Sequence, residues 1–192
     1  MDMHSLVAEA RTCRRFVEDQ PLSMGDLEWL MDCARMTPSA RNAQVLRYIP
    51  VADADMRAKV FPLTRWAGAL KDWGGPVAGE RPTGFLVLLL PKDAGKLAWV
   101  DAGIACQTVQ LAATSRGWGC CIIASFDHAL LPSLLEVPAD MEIALVLGLG
   151  VAKEERALAP MPADGSCAYW RDAAGKHFVP KRALHEIILK KF

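Results

Sequence analysis

The chain has 192 residues, the size of one compact domain, and 52% of them are apolar, which fills a sizeable core and excludes a disordered chain. Lysine and arginine total 22 against 22 aspartates and glutamates. That zero balance disfavours a nucleic-acid binder but leaves room for a local basic cluster around a small anion. The apolar runs fall short of the roughly 20 residues of a membrane span, and the start MDMHSLVAEARTCRRF lacks the pattern of an export signal, so a cytoplasmic protein is expected. The six cysteines contain no C-x-x-C spacing and the four histidines are scattered, so no metal site is expected.

In chain order, Leu6, Val7 and Ala10 mark a first helix from Met3 to about Arg11. Ser23, with Asp26 three residues on, predicts the N-cap of a second, whose apolar face is Leu27, Leu30, Met31 and Ala34. Thr37-Pro38-Ser39 stops it, because the residue before proline avoids helical dihedrals. Residues 46–51 read as a strand and 54–60 as a short helix. A long excursion follows at 62–82, with Trp66 and Trp73, and reads either as a lid or as a surface loop held down by its tryptophans.

Phe85 to Leu90 reads as a buried strand, and Leu97 to Arg116 as the strongest helix, with Val100, Ile104, Gln107, Leu111 and Ala112 on one side. Cys120 to Ser125 is a short strand, Asp127 caps a helix towards Leu135, and Ile143 to Leu149 is another buried strand. The tail at 168–192 shows little helical or strand period before Leu184. Two helices precede the first strand, which fits an α+β layering better than a doubly wound sheet. The expectation is a single domain over 1–192, with the excursion and the extended C-terminal tail as appendages.

Four clusters could carry chemistry. Arg11-Thr12-Cys13-Arg14-Arg15-Phe16 puts three guanidinium forks and a hydroxyl together, which suits a phosphate, although basic helix ends also serve simply as dipole partners in water. The segment from Thr37 to Gln44 joins a rigid turn to short hydrogen-bonding side chains, which suits the edge of a heteroaromatic ring or an ordinary loop. Gly117 to Asp127 is glycine-led but matches neither a Rossmann nor a Walker fingerprint. Val179-Pro180-Lys181-Arg182 is a second basic pair. Cys120 and Cys121 are adjacent, but beside Trp118 and Ile122–Ile123 they read as buried small apolar residues rather than a redox pair.

As RTCRRF, PSARNAQ, DAGIACQTVQLAA, GWGCCIIASFD and VPKR, in this order, these segments resemble the nitroreductase family of FMN enzymes over nearly the whole chain. The ending YWRDAAGKHFVPKR and the central WAGALKDWGGP resemble a short-chain branch of it. The resemblance implies an α+β sandwich with a mixed or antiparallel central sheet flanked by helices. It also implies an intertwined homodimer with FMN at the interface. Arg11, Thr12 and Arg14 match positions that hold the phosphate and ribityl chain, and Lys181 and Arg182 match further phosphate contacts. Pro38, Ser39, Ala40 and Asn42 match a loop that reaches the flavin of the other subunit. Ile122, Ile123, Ala124 and Ser125 match the segment beside the ring, with the Ser125 N–H towards flavin N5.

Some positions depart from the family pattern. Ala10 stands where many members have an arginine, Thr12 where serine is usual, and Ala124 and Ser125 where one branch has an acidic residue and a glycine. The implied function is an oxidoreductase that uses NADH or NADPH to reduce an electron-poor acceptor, such as a nitroaromatic or quinone, by ping-pong hydride transfer through flavin N5. The flavin carries the chemistry and no protein group acts as acid, base or nucleophile. Arg14 is the candidate beside the N1–C2 edge, and Trp66 and Trp73 are candidates for an acceptor lid. The competing readings are a flavin-binding module or sensor without NAD(P)H turnover, and a family member with different flavin chemistry.

Overall fold

The computed structural model describes residues 2–68, 70 and 73–192. Positions 69, 71 and 72, inside the 62–82 excursion, lie outside the described residues. The elements run α1 (Met3–Glu9), α2 (Met24–Arg35), β1 (Arg47–Val51), α3 (Ala54–Val60), β2 (Gly84–Pro91) and α4 (Lys96–Ser115). Next come β3 (Trp118–Ile123), α5 (Leu130–Leu134), β4 (Met141–Val151), β5 (Arg156–Pro160), β6 (Trp170–Arg171), β7 (His177–Lys181) and α6 (Leu184–Ile187).

The central sheet has the order β1-β2-β4-β3 and every pairing in it is antiparallel. It is covered on both faces, so β2 is apolar throughout rather than alternating. Leu86 and Leu88 face the layer of α2 and α4, where Leu27, Leu30, Ala105 and Val109 meet them. Phe85, Val87 and Leu89 face Val60 of α3 and Leu131 of α5. A register shift at Leu88/Leu89, where Leu145 and Ile143 are the successive partners, turns Leu90 and Ala144 towards Ala98 at the start of α4.

The α2 start is the capping box expected from Ser23: its hydroxyl accepts from the Asp26 N–H at 3.1 Å and the Asp26 carboxylate accepts from the Ser23 N–H at 2.9 Å. On α4, Val100 and Ile104 share one side, as read from the sequence. Its buried residues are small or polar (Asp101, Ala102, Ala105, Cys106, Val109, Gln110, Ala113), whereas Leu97, Val100 and Ile104 are exposed. The tail differs from the expectation. Where little regular structure was expected before Leu184, β5, β6 and β7 form a second sheet in the order β5-β7-β6, with β5 and β7 parallel.

A pair of glycines facing each other across strands sets the position of the arginine-rich segment. Gly119 of β3 pairs with Gly150 of β4. A Cβ on Gly119 would run into the Sγ and Cβ of Cys13, and one on Gly150 would meet Phe16 Cβ at 3.1 Å. Without side chains there, residues 12–16 lie flat on the sheet end: Thr12 bridges to Cys120, Phe16 bridges to Ala152, and both Cys13 and Phe16 are fully buried.

Candidate functional site

Buried Cys13 and Phe16 anchor the segment, and the residues between and before them turn outwards as a consequence. The Gln110 side chain of α4 donates to the Ala10 carbonyl at 2.7 Å, and the Cys13 N–H donates to the Cys120 carbonyl at 2.9 Å. Arg11, Thr12 and Arg14 then form one wall of a cavity of about 260 Å³, with Gln107 and Gln110 behind them. The opposite wall is the C-terminal sheet, through Tyr169, His177 and Lys181. Arg15 faces away and is held by both carboxylate oxygens of Glu80, at 2.6 and 2.5 Å. The Arg15 and Lys153 contacts hold the Glu80 carboxyl down at about 2, against the effect of its burial.

The charges around this cavity do not balance. Glu154, buried, accepts the Arg14 main-chain N–H at 2.5 Å and Arg171 Nη2 at 2.9 Å. Its ion pair is with Arg171, and the guanidinium groups of Arg14, Arg156 and Arg171 gather with it around His177. Burial, followed by the neighbouring charge of Arg156, lowers the Arg11 pKa. Burial also pulls His177 down to about 4, with Arg14, Arg171 and Arg156 pushing the same way and Glu154 opposing them. Arg14 lies 4.7 Å over the Tyr169 ring, with Nη1 3.4 Å from His177 Nε2. Arg11 Nε, Arg156 Nε, Arg171 Nε and His177 Nδ1 are buried and have no hydrogen-bond partner among the described residues. Such groups are costly unless an acceptor arrives, so the cluster fits a phosphate-sized anion.

The other predicted site residues lie elsewhere. The Ala40 N–H donates to both oxygens of buried Asp101 on α4, at 3.0 and 3.2 Å, and the Ser39 hydroxyl accepts from the Gln44 N–H at 3.2 Å. Arg41, Asn42 and Gln44 have positive φ of 55°, 53° and 49°, a strained stretch of backbone, and Pro38 and Asn42 are exposed. Ile122, Ala124 and Ser125 are exposed at the open end of β3, while Ile123 is buried against the β2 face. Neither this segment nor the 38–42 loop lines the arginine cavity. Arg182 is exposed and lies outside the lining.

The two lid candidates differ. Trp66 is packed against the core, tilted on Phe61 at 6.1 Å, with its Nε1 donating to Thr64 Oγ1 at 2.9 Å and its ring against Gly148. Trp73 instead carries the Arg171 guanidinium 4.4 Å from its ring centre. Cys120 and Cys121 are buried, and burial raises both thiols (Cys121 to about 12), so neither is a ready nucleophile.

Glu154 and Arg156 were not singled out from sequence, and Tyr169, Arg171 and His177 stood in the quoted ending YWRDAAGKHFVPKR without a role. The charged run Lys153-Glu154-Glu155-Arg156 was the available signal. Asp101 was quoted in the DAGIACQ motif, but its role in tying the loop needed the fold.

The nitroreductase family model matches residues 7–151. The Bacillus subtilis protein MhqN, provisionally named an NAD(P)H nitroreductase, is 22% identical over 78% of this chain and 88% of its own length. An iodotyrosine deiodinase from Thermotoga neapolitana is also 22% identical, over 77% of this chain and 87% of its own. Among solved structures, an FMN-dependent nitroreductase from Clostridium difficile superimposes with a TM-score of 0.65 at 21% identity, over 80% of this chain and 89% of that one.

Proposed function

Because the chain belongs to the nitroreductase family, we propose that it is an NAD(P)H-dependent FMN oxidoreductase whose substrate is a small electron-poor acceptor such as a nitroaromatic or quinone. The observation that carries this reading is the arginine-walled cavity with its unpartnered buried donors, which suits the phosphate of FMN. FMN held there would supply the redox chemistry, a hydride transfer between NADH or NADPH and the acceptor in ping-pong order.

The chain's own residues bind and orient. Arg11, Thr12, Arg14 and Lys181 hold the phosphate and ribityl end, with Arg182 as an outer cation. Arg14 presents the positive charge for the N1–C2 edge of the ring. Ile122 to Ser125 would line one edge of the ring, with the Ser125 N–H as the donor towards N5. Pro38, Ser39, Ala40 and Asn42 serve the flavin of a second subunit, and the Asp101 tie holds that loop in its strained shape. Trp73 borders the acceptor side.

The dimer is supported by the exposed apolar residues of α4, Leu97 and Val100 at 56% and Ile104 at 37%. A soluble monomer leaves such a stripe to water only at a cost. No helix among the described residues is long and apolar enough to cross a membrane.

The test is to mix FMN-loaded protein with NADH or NADPH without oxygen and follow visible absorbance. Bleaching by at least one donor, and recovery of colour on adding a quinone, is the expected result. Persistent colour with both donors would point to a flavin-binding module instead. A protein that elutes as a monomer while holding one FMN per chain would contradict the shared site.

A further inference from the structure

The small C-terminal sheet places three nitrogen-rich side chains in one row. Arg156 of β5 is in register with His177 of β7, and His177 is in register with Arg171 of β6. Residues in register on neighbouring strands project to the same face. Each of the three carries a buried nitrogen without a partner among the described residues. His177 is 1% exposed and lines the arginine cavity. An arginine has only protons to offer, so the neutral ring accepts from Arg14 at Nε2 and carries its own proton on Nδ1, the atom that lacks a partner. Arg156 lies directly behind that lining, with Nη1 donating to the Arg11 carbonyl at 3.2 Å and Nε left over. Arg171 is already engaged by Glu154 and by the Trp73 ring.

We propose that Arg156 and His177 are phosphate-binding residues, completing the site that Arg11 and Arg14 begin, with Arg171 positioning the row rather than touching the ligand. This rests on the flavin reading above. A phosphate monoester dianion has enough acceptor positions for both pairs, and it supplies the negative charge that Glu154 alone does not. The pair therefore distinguishes FMN from riboflavin, which has the same ring and ribityl chain and no phosphate. Burial keeps the free imidazole neutral to about 4, so at neutral pH it is a donor that adds no further charge to the arginines.

The test titrates the apoprotein with FMN and with riboflavin, following flavin fluorescence, in the wild type and in Arg156→Gln, Arg156→Lys and His177→Gln. Far-UV dichroism first establishes that each is folded. The expected result is a loss of roughly tenfold to a hundredfold in FMN affinity for the Gln variants, with riboflavin affinity unchanged and part of the loss recovered by Arg156→Lys. Unchanged FMN affinity, or an equal fall for both ligands, would overturn the proposal and leave the flavin reading standing. A wild type that binds neither ligand would overturn both. If the variants do not fold, ¹⁵N-histidine spectra of the wild type decide: the His177 Nδ1 signal moves with FMN and not with riboflavin, and a signal unmoved by FMN contradicts the assignment.

Discussion

The two sheets of this protein are held together by different physics. In the central sheet, Phe85, Leu86, Val87 and Leu88 are all fully buried, and the strands are fixed by apolar side chains on both faces. In the C-terminal sheet, one row is the stacked pair Trp170 and Phe178, 5.4 Å apart, with Trp170 exposed. The next row is Arg156, His177 and Arg171 around a single buried carboxylate. The first arrangement is complete as it stands. The second carries an excess of buried positive charge, an arrangement that gains stability from an anion. One sheet gives the chain its fold, and the other prepares it to bind.

This contrast predicts different responses to damage. The largest effect is expected from Leu147→Ala, which opens a cavity at a fully buried position in β4. It should cost about 2–5 kcal/mol in chemical denaturation, while folded protein keeps its FMN affinity. A variant that lost affinity without losing stability would blur the division. Next is Glu154→Gln, which weakens the hold on the Arg14 N–H and on Arg171. It should cost about 2–3 kcal/mol, and added phosphate should restore part of the loss, as it would not for Leu147→Ala.

The smallest effect is a pH dependence that belongs to the charged sheet alone. His177 titrates near 4 in the folded chain, below its ordinary 6.5, so the unfolded chain binds more protons between those values. Its contribution is fully present above 6.5 and is lost as pH falls towards 4. His177→Gln should flatten that window. It should leave a second loss between 4.5 and about 2, where Glu80 is protonated away from Arg15 and Lys153. An unchanged profile in the variant would show that His177 is not the titrating group.

Much of the central sheet was legible because strong local signals and tertiary burial agree there. Residues 54–60 form the helix expected, and Ser23 and Asp26 make the expected capping box. The C-terminal sheet was not legible because its strands are short and lack alternation, and β7 contains Pro180. Its key pairing is parallel and brings 156–160 to 177–181 across an intervening loop. Arg156 and His177 become neighbours only through that register. The site was half legible for the same reason: Arg11, Thr12 and Arg14 form a local cluster, while their opposite wall comes from distant segments.

The α4 face carries a different lesson. Val100 and Ile104 form its more apolar stripe, yet they point outwards while alanines pack on the sheet. The most apolar side of a helix is therefore not always the side that packs on its own sheet. Trp66 likewise has a packing role that composition does not separate from that of Trp73, since both are tryptophans in the same glycine-rich stretch.

The central claim is that the arginine-walled cavity holds the phosphate of a flavin, and a crystal structure of the chain grown with FMN tests it most directly. The account predicts the phosphorus atom within reach of the cluster of Arg11, Arg14, Arg156, His177 and Lys181, with the ring running towards the open end of β3. Flavin density with its phosphate elsewhere, or protein crystallised in excess FMN with no flavin bound, would contradict it.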